Sequence, residues 1–311
     1  MSTPLHLVED RPATPFTSAG SRSPQWRLLV SAASAAHAAL AVQTVVHVHG
    51  VELVGLQRYV DPATDWHYSR CELDDAGATL AAEDLRRTLA PLAARAPLHV
   101  QVAAANEHKR VVVLVSKADH CLRDLFRRQR DGELQVDIAC VISNHEDLGP
   151  LVLARGAPFH HVPMPASDPC GTARAAAFQR VFELFDGHRG EVMVLARFMQ
   201  VLPPAFCARA AGRILNVHHS LLPAFTGSRP YHQAWQQGVK WIGATCHYVI
   251  AELDRGPIIE QDARRVDHTH SIDELVLAGR ELECRVLGSG LRAHVEDRVM
   301  VCGQCTVIFN R

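Results

Sequence analysis

The sequence predicts an α/β protein in which a doubly wound, mostly parallel sheet follows a smaller ferredoxin-like unit of order β-α-β-β-α-β. The chain has 311 residues, 48% of them apolar, which is enough for two hydrophobic cores. Short patterned strands fill residues 25–105, whereas nearly continuous apolar strands alternate with helices from residue 109 onward. We therefore expect a flexible tail over 1–24, a ferredoxin-like domain over 25–105 and a larger domain over 109–311.

The first 105 residues supply the elements of the smaller unit. Residues 1–24 contain four prolines and no regular period, which predicts a loose tail. Pro91 should kink the second helix or begin a new segment there. The order is that of two split βαβ units, whose antiparallel sheet has one face covered by helices. Strands are predicted at 26–32, 51–60, 67–74 and 98–105, and helices at 35–49 and 80–94.

Apolar runs in the second unit are nearly continuous, as in parallel strands that are buried on both faces. Ser271 and Glu274 form a capping-box pattern, and the helix that follows should end near residues 288–290. Two final apolar runs flank Gly303 and predict a hairpin. Strands are predicted at 110–116, 136–142, 158–162, 191–195, 213–217 and 243–250, and helices at 119–130, 170–186, 204–211 and 229–237.

Composition and charge narrow the classes of function. Lys and Arg number 32 against 33 Asp and Glu, and aromatic residues make up 6%, so the basic and stacking surfaces that bind nucleic acid are not expected. The stretch AALAVQTVVHVHG is too short and too polar to span a bilayer. Nine irregularly spaced cysteines and the lack of a signal-peptide pattern favour reduced thiols in a cytoplasm. The expected partner is a small molecule.

Polar side chains at the ends of predicted strands indicate where chemistry occurs, because open α/β sheets bind ligands beyond the carboxyl ends of their strands. Strand alternation places Asn216 and His218 on one face, where the amide can stabilise an oxyanion and the imidazole can move a proton. Asp254, in the next loop, can orient His218 and position water. The three residues together predict acyl chemistry. Each residue taken alone would more often have a structural role than a catalytic one.

Four segments, in the order NVHHSLLPAF, GSRPYHQA, GATCHYV and ELDRGPIIEQD, carry a family resemblance. Residues 109–311 resemble the folate-dependent formyltransferase family and its fold, and the preceding unit resembles the ACT-type domain of the family's deformylase branch. The resemblance implies catalytic roles for Asn216, His218 and Asp254, a folate substrate, and neither cofactor nor metal. It also implies folate-binding loops formed by Met199, Gln200, Val201 and Leu202 and by Val249, Ile250, Ala251, Glu252 and Leu253.

Two features favour water over an amine as the acceptor of the formyl group. Family members that act on a ribonucleotide carry a glycine-rich phosphate loop after the first strand, whereas this chain has VSKADHCL. The transferases also usually have proline after the catalytic histidine, where His219 stands here and could hold the attacking water. The expected reaction is hydrolysis of 10-formyltetrahydrofolate to tetrahydrofolate and formate. Transfer to an amine acceptor, and a catalytically inactive folate-binding protein, are the alternatives.

Other residues leave alternatives open. Arg229 could contact the glutamate tail of a folate or pack beside its neighbours Pro230 and Tyr231. The ACT-type loop SAASAAHA lacks the acid and the glycine typical of amino-acid sites, so regulation by an amino acid is not expected there, and other effectors are left open. The family suggests a homo-oligomer. The motif CGQC is better explained by the final hairpin than by a redox or zinc site. A metal site is not favoured either, because the candidate ligands do not have the spacing of a familiar metal-binding motif. These candidates are His218, His219, His232, His247 and Asp254.

Overall fold

The computed structural model describes residues 25–75, 80–165, 171–224 and 230–310. The chain divides into two compact units, and the boundary between them falls between Ala105 and Asn106. Each unit has its own sheet and its own hydrophobic core. The tail predicted over 1–24 lies outside the described residues.

The first unit has the predicted ferredoxin-like order, which is confirmed. Its strands form one antiparallel sheet in the order β2-β3-β1-β4. Helix α1 begins at its cap Ser34, whose side chain accepts a hydrogen bond from the His37 backbone N–H, and ends at Gly50 with φ of 64°. The elements are β1 (Trp26–Ala32), α1 (Ala35–His49), β2 (Glu52–Val60), β3 (His67–Asp74), α2 (Ala82–Ala93) and β4 (Leu98–Ala104).

Helix α2 runs through Pro91 without a new segment beginning there. Pro91 lies in the last turn, where few residues follow it, so the missing N–H removes only one late hydrogen bond. Leu85 and Leu89, fully buried on the same helix, hold it against the core. Packing of the apolar face therefore outweighs the local effect of the proline.

The second unit is a seven-stranded sheet in the order β11-β10-β9-β8-β5-β6-β7, parallel from β9 to β7 and antiparallel at β10 and β11. The predicted mostly parallel α/β sheet is confirmed. The elements are β5 (Lys109–Val115), α3 (His120–Arg130), β6 (Val136–Ser143), α4 (Gly149–Leu153), β7 (Phe159–His161), α5 (Thr172–Gly187), β8 (Val192–Leu195), α6 (Pro204–Arg209), β9 (Ile214–His218), α7 (Pro230–Gln236), β10 (Trp241–Tyr248), β11 (Ile258–Arg265), α8 (Ile272–Val295), β12 (Val299–Cys302) and β13 (Cys305–Ile308).

Both faces of this sheet are covered, which explains the continuous apolar runs. Along β5, Val111, Val113 and Val115 enter the core shared with α3 and α8, while Val112 and Leu114 enter the core shared with α5 and α6. All five side chains are fully buried. The central strands are therefore held rigidly, and the residues at their ends are held in fixed positions.

Two elements were not predicted, and one predicted boundary is wrong. Strand β11, with the sequence IIEQDARR, lies at the sheet edge and is half exposed, and α4 is a single short turn. Helix α8 does not end near residues 288–290 but continues to Val295. A Cβ at Gly288 would lie 2.4 Å from Arg128 Nε, and one at Gly290 would lie 2.6 Å from Cys246 Sγ. These glycines therefore permit close packing and do not terminate the helix.

Candidate active site

A cavity of about 240 Å³ lies in the second unit against β8, β9 and the residues that follow β10. Both predicted folate loops and the predicted catalytic residues line it. Arg229 lies outside the described residues. Residues to which the sequence assigned no role in catalysis or folate binding also contribute to the walls: Leu195, Arg197, Phe198, Cys207, Val217 and His247.

Asn216 and His218 face this cavity from β9, two residues apart on one face of the strand. His218 Nδ1 lies 3.3 Å from Asp254 Oδ2. Because a carboxylate can only accept, the pair places the proton on Nδ1 and leaves Nε2 as the basic nitrogen. The predicted convergence of an amide, an imidazole and a carboxylate is therefore present in the structure.

His247, on β10, supports Asn216 from behind. Its Nδ1 lies 2.9 Å from the Tyr248 carbonyl oxygen, to which it donates, so Nε2 is free to accept from Asn216 Nδ2 at 3.2 Å. Burial lowers the pKa of His247, against opposing effects of the Tyr248 carbonyl and of Asp254, so the ring is neutral. This arrangement fixes which end of the Asn216 amide is the nitrogen. Only the register of β9 and β10, which pairs Asn216 with His247, reveals this role.

The loop that carries Asp254 turns back toward the site. Strand β10 is antiparallel to β9, so the loop starts beside Leu215 and must return to bring the carboxylate to His218. Asp254 has φ of 54°, in the left-handed region, and a Cβ at Gly256 would lie 1.7 Å from the Tyr248 carbonyl oxygen. The turn therefore depends on glycine at position 256 and holds Asp254 in a strained conformation.

The Asp254 carboxylate stays charged although it is half buried. Burial raises its pKa, but the hydrogen bond from His218 and the nearby imidazoles lower it by more, so the net pKa is below the ordinary value of 3.8. The charged carboxylate accepts from His218 Nδ1 and thereby orients that ring.

His219 lines the same cavity next to His218. The two ring centroids are 5.0 Å apart, and the ring of Tyr231 lies 6.2 Å from that of His219. Burial, followed by the charges of Arg197 and His218, lowers the pKa of His219 to about 4. The ring is therefore neutral near pH 7 and can accept a hydrogen bond from water.

Comparison with known proteins identifies the family. The family model described as "Formyl transferase" matches residues 109–291, which contain the whole cavity. The chain belongs to the formyl transferase family. The family resemblance predicted from the sequence is thereby confirmed.

Relatives within the formyl transferase family extend the match to nearly the whole chain. The formyltetrahydrofolate deformylase of Bacillus subtilis (strain 168) is 40% identical over 285 residues, covering 91% of this chain and 93% of the relative. That of Escherichia coli (strain K12) is 39% identical over 270 residues, covering 86% and 92%.

Solved structures of the same family separate into two groups. A formyltetrahydrofolate deformylase from Pseudomonas syringae pv. tomato superposes with a TM-score of 0.86 at 40% identity, covering 92% of this chain and 94% of that chain. Glycinamide ribonucleotide transformylase 1 from Symbiobacterium toebii gives a TM-score of 0.61 at 29% identity, covering 65% of this chain and 95% of that chain. The match to the deformylase thus extends over more of this chain than the match to the transformylase.

In this member of the formyl transferase family, hydrogen bonds to the residues that follow β5 and β6 fix the backbone of the loop at 199–202. The Met199 backbone N–H donates to Ser116 Oγ at 3.1 Å, and the Ser116 hydroxyl donates to Asn144 Oδ1 at 2.6 Å. The side chains of Met199 and Val201 nevertheless point outward and are 58% and 57% exposed. A fixed backbone with exposed apolar side chains is suited to covering a flat apolar ligand.

The candidate metal-ligand sets of the described residues contain none of the predicted catalytic residues. Among the described residues, the ligand atoms of two sets of three lie within 4.8 Å of one another. In the first set two imidazoles already hydrogen-bond each other, with 2.8 Å between their Nε2 atoms. In the second set the carboxylate is already paired with an arginine. The sets are Cys140, His160 and His188, and His120, Cys121 and Glu283.

Proposed function

We propose that the chain hydrolyses 10-formyltetrahydrofolate to tetrahydrofolate and formate. The observation that carries this proposal is the convergence of Asn216, His218 and Asp254 in a cavity lined by both predicted folate loops. Relatives that share 39% to 40% identity over most of this chain bear the name formyltetrahydrofolate deformylase, which supports the same substrate here.

The reaction begins when water attacks the formyl carbon. A C–O bond forms, and the carbonyl electron pair moves onto oxygen, where an N–H of Asn216 Nδ2 not used by His247 stabilises the charge. His218 Nε2 accepts the proton that the water loses and then delivers it to N10 of the folate. The C–N10 bond breaks and releases tetrahydrofolate and formic acid, and the second hydrogen of the water leaves as a proton when the acid ionises to formate. Each atom of the water molecule is thereby accounted for.

Asp254 and His219 assist from either side of His218. The Asp254 carboxylate accepts from His218 Nδ1 and stabilises the imidazolium that forms when Nε2 takes the proton. The neutral ring of His219 accepts a hydrogen bond from the attacking water and orients one of its lone pairs toward carbon. The loops at 199–202 and 249–253 hold the pterin by backbone and apolar contacts.

Transfer to an amine acceptor is the second candidate function. The match to deformylase structures over both units favours hydrolysis, because the transformylase from Symbiobacterium toebii matches only 65% of this chain. An inactive folate-binding protein would bind the folate without releasing formate. Adding an amine distinguishes the hydrolase from the transferase, since only a transferase consumes the formyl-folate faster when the acceptor is present.

The decisive experiment measures formate and the absorbance change when the purified chain meets 10-formyltetrahydrofolate without an acceptor. One formate per folate is expected. The His218→Ala variant should lose about 100-fold or more of this rate while binding the folate, because the proton carrier is removed and the loops are not. His232→Ala, on the exposed side of α7, is the matched control. Nearly full activity in folded His218→Ala protein contradicts the proposed site.

We further propose the surroundings in which this reaction takes place. The protein acts in the cytoplasm as a homo-oligomer, with folate and water as its small-molecule partners and without nucleic acid, membrane, cofactor or metal. Within the described ranges, no helix is both long and apolar enough to span a membrane. Light scattering at several protein concentrations tests the oligomer. Unchanged turnover after dialysis against EDTA is the result expected for a metal-free reaction.

A further inference from the structure

Arg197 follows β8 and precedes the loop at 199–202, and it lines the cavity beside His219. Its φ is 64°, in the left-handed region, where residues other than glycine and asparagine are uncommon. Its side chain is 19% exposed, and its charge acts on His219. An arginine that is held in a strained conformation next to a candidate active site is a candidate for a functional role.

A buried carboxylate forms an ion pair with this arginine. Glu283, on α8, is fully buried, and its Oε2 lies 3.5 Å from Arg197 Nε. His120 Nε2, on α3, lies 2.7 Å from Glu283 Oε2, and the Tyr231 hydroxyl, on α7, donates to Oε1 at 2.8 Å. Burial raises the pKa of Glu283, but the hydrogen bond from His120 and the charge of Arg197 bring it below the ordinary value. Arg197 Nε makes no hydrogen bond to the described residues, so Arg197 is anchored to this charged group by an ion pair alone.

The anchor is assembled from side chains of three helices. Glu283, His120 and Tyr231 come from three different helices and pack together behind Arg197 and His219. Beyond His219 and Tyr231 there is a second cavity of about 70 Å³. Arg197 does not line this second cavity, so the space beside His219 that Arg197 occupies belongs to the first cavity.

We propose that Arg197, anchored by Glu283, is a specificity-determining residue that fills the space beside His219 through which an amine would reach the formyl carbon. Water is small enough to attack from that side and an amine acceptor is not. This inference rests on the proposed function and adds to it the reason why the formyl group is given to water. Arg197 takes no part in the proton transfers, which His218 carries out.

The test replaces Arg197 by glycine and supplies glycinamide as the acceptor. Glycine is suited to φ of 64°, so the variant relieves backbone strain and is expected to fold. In the variant the amine nitrogen attacks the formyl carbon and loses a proton to His218, which delivers that proton to N10. The C–N10 bond then breaks, which gives N-formylglycinamide and tetrahydrofolate. Mass spectrometry measures N-formylglycinamide, and a coupled assay measures formate.

The wild-type protein should give formate alone, and R197G should raise the ratio of N-formylglycinamide to formate by about tenfold or more. R197K is the matched control, because lysine keeps both the charge and most of the volume, and it should give formate alone. A second readout is the pH profile of formate release. Without the Arg197 charge the pKa of His219 rises from about 4, so the acid limb moves to higher pH in R197G and less in R197K.

Either of two results overturns the proposal. Folded R197G that gives formate alone at high glycinamide shows that Arg197 does not exclude the acceptor. Folded R197G that gives neither product shows that Arg197 is needed for the chemistry itself. Failure of the proposed function looks different, because the wild-type protein would then release no formate before any substitution is made.

Discussion

The two ends of the cavity have opposite character. At the inner end, polar side chains are buried: His218, His219 and His247 are all at most 8% exposed. At the outer end, apolar side chains face water, and Leu253 is 63% exposed. In most proteins polar side chains are exposed and apolar side chains are buried, and this cavity shows the opposite arrangement. The two ends therefore have different functions. The inner end is built for electrostatics on a reacting group, and the outer end for covering an apolar ring.

This difference has an energetic consequence. Charges and dipoles act strongly where water is excluded, so a change at the inner end should alter mainly the turnover number, kcat. Apolar contact at the outer end is the same for the bound substrate and for the transition state, so a change there should alter mainly KM. Substitutions at each end can therefore test whether the two tasks are separate.

The largest effect is expected for Asn216→Ala at the inner end. Loss of the amide that faces the oxyanion should lower kcat by about 100- to 1,000-fold. KM should stay within a few-fold, because the loops at 199–202 and 249–253 are untouched. Steady-state kinetics with 10-formyltetrahydrofolate measures both parameters, with circular dichroism as the check of folding. A rise in KM with unchanged kcat would place Asn216 in binding and not in chemistry.

An intermediate effect concerns stability, because burying neutral histidines makes the inner end sensitive to acid. The pKa of His219 falls from 6.5 to about 4 on folding, so the unfolded chain binds more protons between these values. Stability present above pH 6.5 is therefore lost as the pH falls toward 4. His294, whose pKa burial and the charge of Lys109 lower to about 3, adds a similar loss.

His219→Gln removes one of these two contributions. The difference in free energy of unfolding between pH 8 and pH 5 should be smaller in this variant than in the wild-type protein by about 2 kcal/mol. Urea unfolding at the two pH values measures it. His268→Gln, at an exposed position, is the control and should leave the difference unchanged. An equal acid sensitivity of His219→Gln and wild type would show that His219 is not held neutral by burial.

The sequence predicts the inner end only in part. Alternation along one strand is enough to bring Asn216 and His218 together, and the loop after the next predicted strand, together with the family resemblance, indicates Asp254. His247 and Arg197 were missed for physical reasons. The contact of His247 depends on the antiparallel register of β10 with β9, and Arg197 owes its position to a left-handed backbone angle and to Glu283, 86 residues further along the chain.

Long-range packing also explains the errors in the fold. Gly288 and Gly290 are residues typical of a helix end. In the structure, however, Arg128 and Cys246 occupy the space that a Cβ atom at these positions would fill. Strand β11 alternates only weakly because it is a half-exposed edge strand. Elements whose residues face one continuous core, such as β5, are predicted within a residue or two because local pattern and tertiary burial agree.

The smallest effect is expected at the outer end, for Leu253→Ala. Covering this exposed side chain with the substrate contributes about 1 kcal/mol, so its removal should raise KM about fivefold and leave kcat unchanged. Leu153→Ala is a matched control, because Leu153 is equally exposed, at 63%, but lies at the end of α4 and does not line the cavity. A fall in kcat as large as the rise in KM would mean that Leu253 also helps to place Asp254, its neighbour in the chain. The outer end would then contribute to the chemistry, and the separation of the two tasks would be lost.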